Sequence, residues 1–86
     1  MTTANTYTLS EAQTALKGKH FYRHETITDF VETFKIRSLR PADTKGHYRL
    51  IGKNAEHTIS GATLIRLLRD GQCHAQNESY LITDPR

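Results

Sequence analysis

The fold turns on residues 26–51, TITDFVETFKIRSLRPADTKGHYRLI. Ile27, Phe30, Val31 and Phe34 recur at i, i+3, i+4 and i+7, the apolar stripe of a 3.6-residue period, so the spacing predicts a helix. Thr26 stands where an N-cap belongs, and Asp29 in the first turn suits the positive helix end. Thr28, Asp29, Glu32, Thr33 and Lys35 then lie on the polar face. At Ile36 the period drops to two. Ile36-Arg37-Ser38-Leu39-Arg40 alternates apolar and polar as a half-buried strand does, and His47-Tyr48-Arg49-Leu50-Ile51 resumes the alternation. Pro41 donates no ladder hydrogen bond and Gly46 admits a tight turn, so 41–46 reads as the loop of a hairpin. A pairing of 47–51 with 57–60 across Gly52-Lys53-Asn54 is equally compatible with the pattern.

Upstream, residues 1–6 are small and polar, as a flexible N-terminus is. Leu9-Ser10-Glu11-Ala12-Gln13 opens a short helix in which Ser10 caps and Gln13 reaches back to the cap, with Gly18 past its end. Downstream, Ser60 caps a helix carrying Leu64, Ile65, Leu67 and Leu68, and Gly71 ends it. Ser79-Tyr80-Leu81-Ile82-Thr83 reads as a strand that pairs with the hairpin or with a second copy. The expected architecture is α+β. It is one small domain over 7–86, with about three helices, a β-hairpin and a C-terminal strand. Residues 61–82 also read as a degenerate second copy of the helix-to-hairpin unit.

The chain has 86 residues, 36% hydrophobic and 24% charged, with one cysteine. A chain this short buries only about 60–65% of the surface its unfolded form exposes, which excludes a large enclosed active site. A lone cysteine excludes an internal disulfide. The opening MTTANTYTLS has no signal-peptide plan, and the two features together point to a cytoplasmic setting with no membrane. Net charge is +3, unevenly spread. Between Lys17 and Lys53 nine basic residues meet four acids, a balance of +5, and the remainder is −2. Such asymmetry points to an anionic partner.

The order helix, helix, basic hairpin, helix resembles a winged helix-turn-helix. TLSEAQTALKG is similar to the opening helix of MerR-type regulators and phage excisionases, with Glu11-Ala12 at the matching position. TITDFVETFKIRSLRP resembles the second helix and its exit into the wing, GHYRLIG the return strand, and SGATLIRLLRDG the following helix. The resemblance implies a small DNA-binding regulatory protein of phage or mobile-element type, with double-stranded DNA as partner. In that arrangement the second helix lies in the major groove and the wing grips phosphates. Arg37, Arg40, Lys45 and Arg49 would then contact phosphates from the wing. Lys17, Lys19, Arg23 and His24 would do so from the turn, and Thr28 and Thr33 would reach base edges.

Other chemistries find little support in the residues. His20 and His24 stand four apart and Cys73-His74 are adjacent, but no zinc-ligand spacing is present, so no metal or other cofactor is expected. Cys73 follows a helix C-terminus, whose dipole disfavours a thiolate, and no catalytic residues and no enzyme activity are expected. The alternative is a protein-binding inhibitor or adaptor, of anti-defence type, that blocks a host nucleic-acid-processing enzyme. Asp29 and Glu32 would serve it as phosphate mimics. The final strand, or an apolar surface of Leu64, Leu67 and Leu68, would suit a homodimer.

Overall fold

The computed structural model describes residues 7–84. The reading of 1–6 as flexible lies outside these residues. Helix α1 (Leu9–Leu16) begins two residues earlier than its apolar pattern suggests. Thr8 is the cap: its hydroxyl accepts the Glu11 N–H at 3.1 Å, and the Glu11 carboxylate accepts the Thr8 N–H at 3.0 Å. This reciprocal pair satisfies two N-terminal donors that a helix cannot satisfy internally. Gly18, at φ +87°, turns the chain out of α1.

The expected helix over 27–34 is absent. Strand β1 (His20–Glu25) pairs antiparallel with β2 (Phe30–Lys35), and 26–29 is the turn between them. The Glu25 carboxylate organises that turn by accepting the N–H groups of Ile27 and Thr28 and the Thr28 hydroxyl. Asp29 completes it at φ +58°, a conformation a short polar side chain tolerates. Ile27, Phe30 and Val31 are exposed, so three residues of the expected apolar stripe lie outside the core. Thr and β-branched or aromatic residues dominate this stretch, and strand preference overrides a helical period that buries no face.

Strands β3 (Ser38–Pro41), β4 (His47–Ile51) and β5 (Glu56–Ser60) form a meander, so both pairings left open for 47–51 are made. Helix α2 (Gly61–Asp70) is capped by Ser60, whose hydroxyl accepts the Thr63 N–H at 3.2 Å, and ends at Gly71 with φ +76°. Strands β6 (Gln72–Ala75) and β7 (Glu78–Thr83) form a second hairpin. The final strand is central: β7 lies between β1 and β6, so both its sides are filled within this chain and it makes no pairing with the meander.

The described residues are therefore α+β with two helices and seven strands. The strands form two antiparallel sheets, β2-β1-β7-β6 and β3-β4-β5, in place of three helices and a wing. Phe21 from the first sheet, Leu39, Leu50 and Ile59 from the second, and Ala12, Leu16, Leu64 and Leu67 from the helices close one shared core. Leu64 and Leu67 are buried in it, so they offer no free dimer surface. The structure also contains two helix–glycine–hairpin units, α1-Gly18-β1β2 and α2-Gly71-β6β7, whose hairpins join in one sheet.

Candidate nucleic-acid interface

The acids are the first element of the site, because of where they are spent. Arg23 faces the core side of β1, opposite Glu32 on β2 and Tyr80 on β7. Its Nε donates to Glu32 Oε1 at 3.1 Å and its Nη1 to Glu78 Oε2 at 3.0 Å, with the guanidinium 5.5 Å from the Phe30 ring centroid. The Tyr80 hydroxyl donates to Glu78. Burial, reinforced by that bond, raises the Tyr80 phenol well above its usual range. The His57, Phe21 and Tyr80 rings form a three-way cluster with centroids 5.8–5.9 Å apart, and burial together with the nearby Arg23 charge lowers the His57 pKa. Asp29 meets His24 at 2.7 Å, Asp84 meets Lys19, and Asp70 meets Arg69 at 3.4 Å. Glu25 is held below its usual carboxylate range by the Thr28 hydroxyl and backbone N–H.

The cations divide differently. Among the described residues, Lys17, Lys35, Arg37, Arg40, Lys45, Lys53 and Arg66 have no carboxylate within 4.0 Å. Five of these seven fall in 35–53. Residues 36–60, the meander and its entry, hold five basic residues (Arg37, Arg40, Lys45, Arg49, Lys53) and two acids (Asp43, Glu56). The rest of the chain holds seven of each, so the whole net charge of +3 resides in the meander segment.

Alternation places this charge on the side of the meander away from the core. Leu39, Leu50 and Ile59 point inward and are buried, so Arg40, His47, Arg49, Thr58 and Ser60 share the outer face. Arg40 lies directly opposite Arg49, a like-charge pair that costs stability. The Glu56 carboxylate relieves it only at 3.8 Å. Arg49 Nε is shielded from solvent and has no hydrogen-bond partner. An orphaned donor of this kind costs about 1–3 kcal/mol and invites an acceptor. Lys45 lies in the β3–β4 turn.

Beside this face, at the free edge of β2, lies a groove of about 570 Å³ lined by Thr33, Phe34, Lys35, Arg37, Lys53, Asn54 and Ala55. The β4–β5 turn forms one wall. Gly52 allows it to approach: a Cβ there would stand 2.7 Å from Phe34 Cδ1 and 3.0 Å from the Lys35 carbonyl oxygen.

The residues expected to contact DNA thus separate. Arg40, Lys45 and Arg49 stay together on the meander, while Arg37 and Thr33 line the groove. Lys17 follows α1, Lys19 is engaged by Asp84, and His24 is engaged by Asp29. Arg23 is enclosed by two carboxylates, and the Thr28 hydroxyl belongs to the turn. With 26–35 forming turn and strand, Thr28 and Thr33 do not share a helix face. Lys35, Lys53 and Phe34 escape sequence reasoning. Their signals are the basic excess over 17–53 and the Gly52-Lys53-Asn54 turn, which places Lys53 at a surface tip.

His20 and His24 sit on β1, roughly 13 Å apart along an extended strand, and no group of three or more potential metal ligands occurs among the described residues. Cys73 is free and buried. No helix among the described residues is long and apolar enough to cross a membrane. No known protein family, curated protein or solved structure matches the chain.

Proposed function

We propose that this chain is a small non-enzymatic regulatory protein that binds double-stranded DNA. It engages phosphates through the outer face of the β3–β4 hairpin. The observation that carries this reading is the facing pair of Arg40 and Arg49, met only by Glu56 at 3.8 Å, with an orphaned Arg49 Nε and Lys45 at the hairpin tip. Phosphate oxygens are the acceptors this row lacks, and Arg forks suit them. The hairpin belongs to a three-stranded sheet, so its exposed face grips the phosphate backbone and no recognition helix is required. Asp29 and Glu32, whose carboxylates would repel phosphates, are held by His24 and Arg23 at the first hairpin, away from this face. A cytoplasmic location accords with the single free cysteine.

Anisotropy titration of a short duplex at several salt concentrations tests this. Affinity should fall with salt at a log–log slope near −0.9 per neutralised phosphate, and Arg40→Ala/Arg49→Ala should flatten that slope by about two. No binding at about 50 mM salt, or equal affinity for parent and variant, refutes the proposal.

The exposed apolar tip of the first hairpin, with Ile27 72% and Phe30 51% accessible, favours a second reading, an inhibitor that occludes a host nucleic-acid enzyme. Glu32 is engaged by Arg23 and does not serve it as a phosphate mimic. A single stoichiometric host partner in pull-down, with no DNA affinity, would favour this alternative.

A further inference from the structure

The groove at the free edge of β2 differs in character from the flat basic face beside it. It is concave, three cations line it, and no carboxylate does. Lys35, Arg37 and Lys53 each lack a carboxylate within 4.0 Å, so nothing within the described chain neutralises them. Between the charges stand a hydroxyl (Thr33), an amide (Asn54) and the half-buried ring of Phe34. We infer that this groove binds a nucleoside phosphate: the three cations hold the phosphate, and Phe34 with its neighbours flanks the base or sugar.

Three arguments favour that ligand class over a bare anion or the DNA backbone. The groove is open to solvent, and its volume of about 570 Å³ is far more than a lone phosphate fills. A phosphate monoester carries more charge than a bridging phosphodiester, and three uncompensated cations reward the difference. An aromatic ring beside cations is the combination that accepts a nucleobase and its phosphate together. The site is also pre-formed. Gly52 N–H donates to the Ala55 carbonyl at 2.7 Å, and the turn is pressed on Phe34, so no loop needs ordering when ligand enters. The ligand has two sources, a free nucleotide or the phosphorylated end of a strand. The inference does not rest on the duplex reading, which concerns Arg40 and Arg49.

Amide chemical shifts of the full chain, followed while adenosine monophosphate is added to about 10 mM, test the proposal, since weak sites with millimolar constants are readable there. Saturable shifts are expected at 33–37 and 53–55. Arg37→Ala and Lys53→Ala should each weaken binding about tenfold while leaving the melting curve unchanged, as loss of one charge-assisted contact predicts. Absence of shifts at those amides overturns the inference. So does equal binding of adenosine, which removes the phosphate, or of inorganic phosphate, which removes the nucleoside. A 5′-phosphorylated oligonucleotide compared with its 5′-hydroxyl counterpart separates the sources. Discrimination between them supports a strand end, and binding of the mononucleotide alone supports a free nucleotide. Loss of duplex binding in Arg40→Ala/Arg49→Ala with these shifts intact separates the two sites.

Discussion

Replacing Arg23 by methionine keeps the aliphatic stem and removes the guanidinium that holds β1, β2 and β7 together on the core side. Two charge-assisted hydrogen bonds disappear, at 3.1 Å and 3.0 Å, together with the contact to Phe30. Hydrogen bonds to charged groups contribute about 1.5–3 kcal/mol each before desolvation is subtracted. The larger consequence is what remains: Glu32 and Glu78, with side chains 22% and 29% accessible, face an apolar neighbour and each other with no counter-charge. Removing one partner of a fully buried pair costs about 3–5 kcal/mol, and the residual water access here lowers that to about 2–3 kcal/mol. For a domain of this size each kcal/mol shifts Tm by about 4–8 °C, so Arg23→Met should melt about 8–24 °C below the parent. Circular dichroism melts measure the shift. The triple variant Arg23→Met/Glu32→Gln/Glu78→Gln should recover much of the loss, because it removes the stranded charges and leaves an amide oxygen to accept the Tyr80 hydroxyl. A single variant within about 0.5 kcal/mol of the parent, or a triple no more stable than the single, would refute the account.

Gly52→Ala should destabilise by about 1–3 kcal/mol, because Phe34 is backed by Phe21 at 5.3 Å and cannot retreat from the new methyl; an unchanged urea midpoint would contradict the packing described. Thr8→Ala should cost about 1 kcal/mol while Ser10→Ala costs almost nothing, and the reverse order in thermal melts would move the cap back to Ser10. His57 is held neutral in the fold by burial and by Arg23, so the unfolded chain takes its proton first as pH falls. That contribution is fully present above the ordinary value of 6.5 and declines below it towards the folded pKa. Urea midpoints should therefore drop between about pH 7.5 and pH 5.5, and His57→Phe should drop less; equal declines would show that another group governs the window.

Both helices were legible from their ends. Gly18 and Gly71 adopt the left-handed conformation that a helix exit favours, and Ser60 caps as its position implies. The first cap was misread because two overlapping patterns compete, and Thr8-x-x-Glu11 makes the reciprocal bonds that Ser10-x-x-Gln13 does not. The hairpin over 38–51 was readable because Leu39 and Leu50 alternate with polar residues and both end in the core. Residues 20–35 were not. Ile27, Phe30 and Val31 match a helical period but remain exposed, and a period carries information only where the stripe is buried. In the site, the basic excess was visible as composition, while its freedom from acids was not. Arg23 and Glu78 are 55 residues apart, and no local pattern announces that they meet.

That ion pairing explains why an apparently contradictory charge pattern is coherent in three dimensions. Two helix–glycine–hairpin units share one sheet, and the three-stranded meander is inserted between them in sequence. The units balance seven basic residues against seven acids and bind several of those acids within or beside their own sheet. The insertion carries the entire surplus and sets two arginines face to face. Chain folding alone gives no reason for that arrangement, since a threonine at either position would pair across the strands without repulsion. The proposed polyanion would supply the reason, because it would remove both the like-charge cost and the orphaned Arg49 donor in one event. On that proposal, the surface that weakens the free protein would add its relief to the free energy of binding, and stability would be exchanged for affinity at residues 40 and 49.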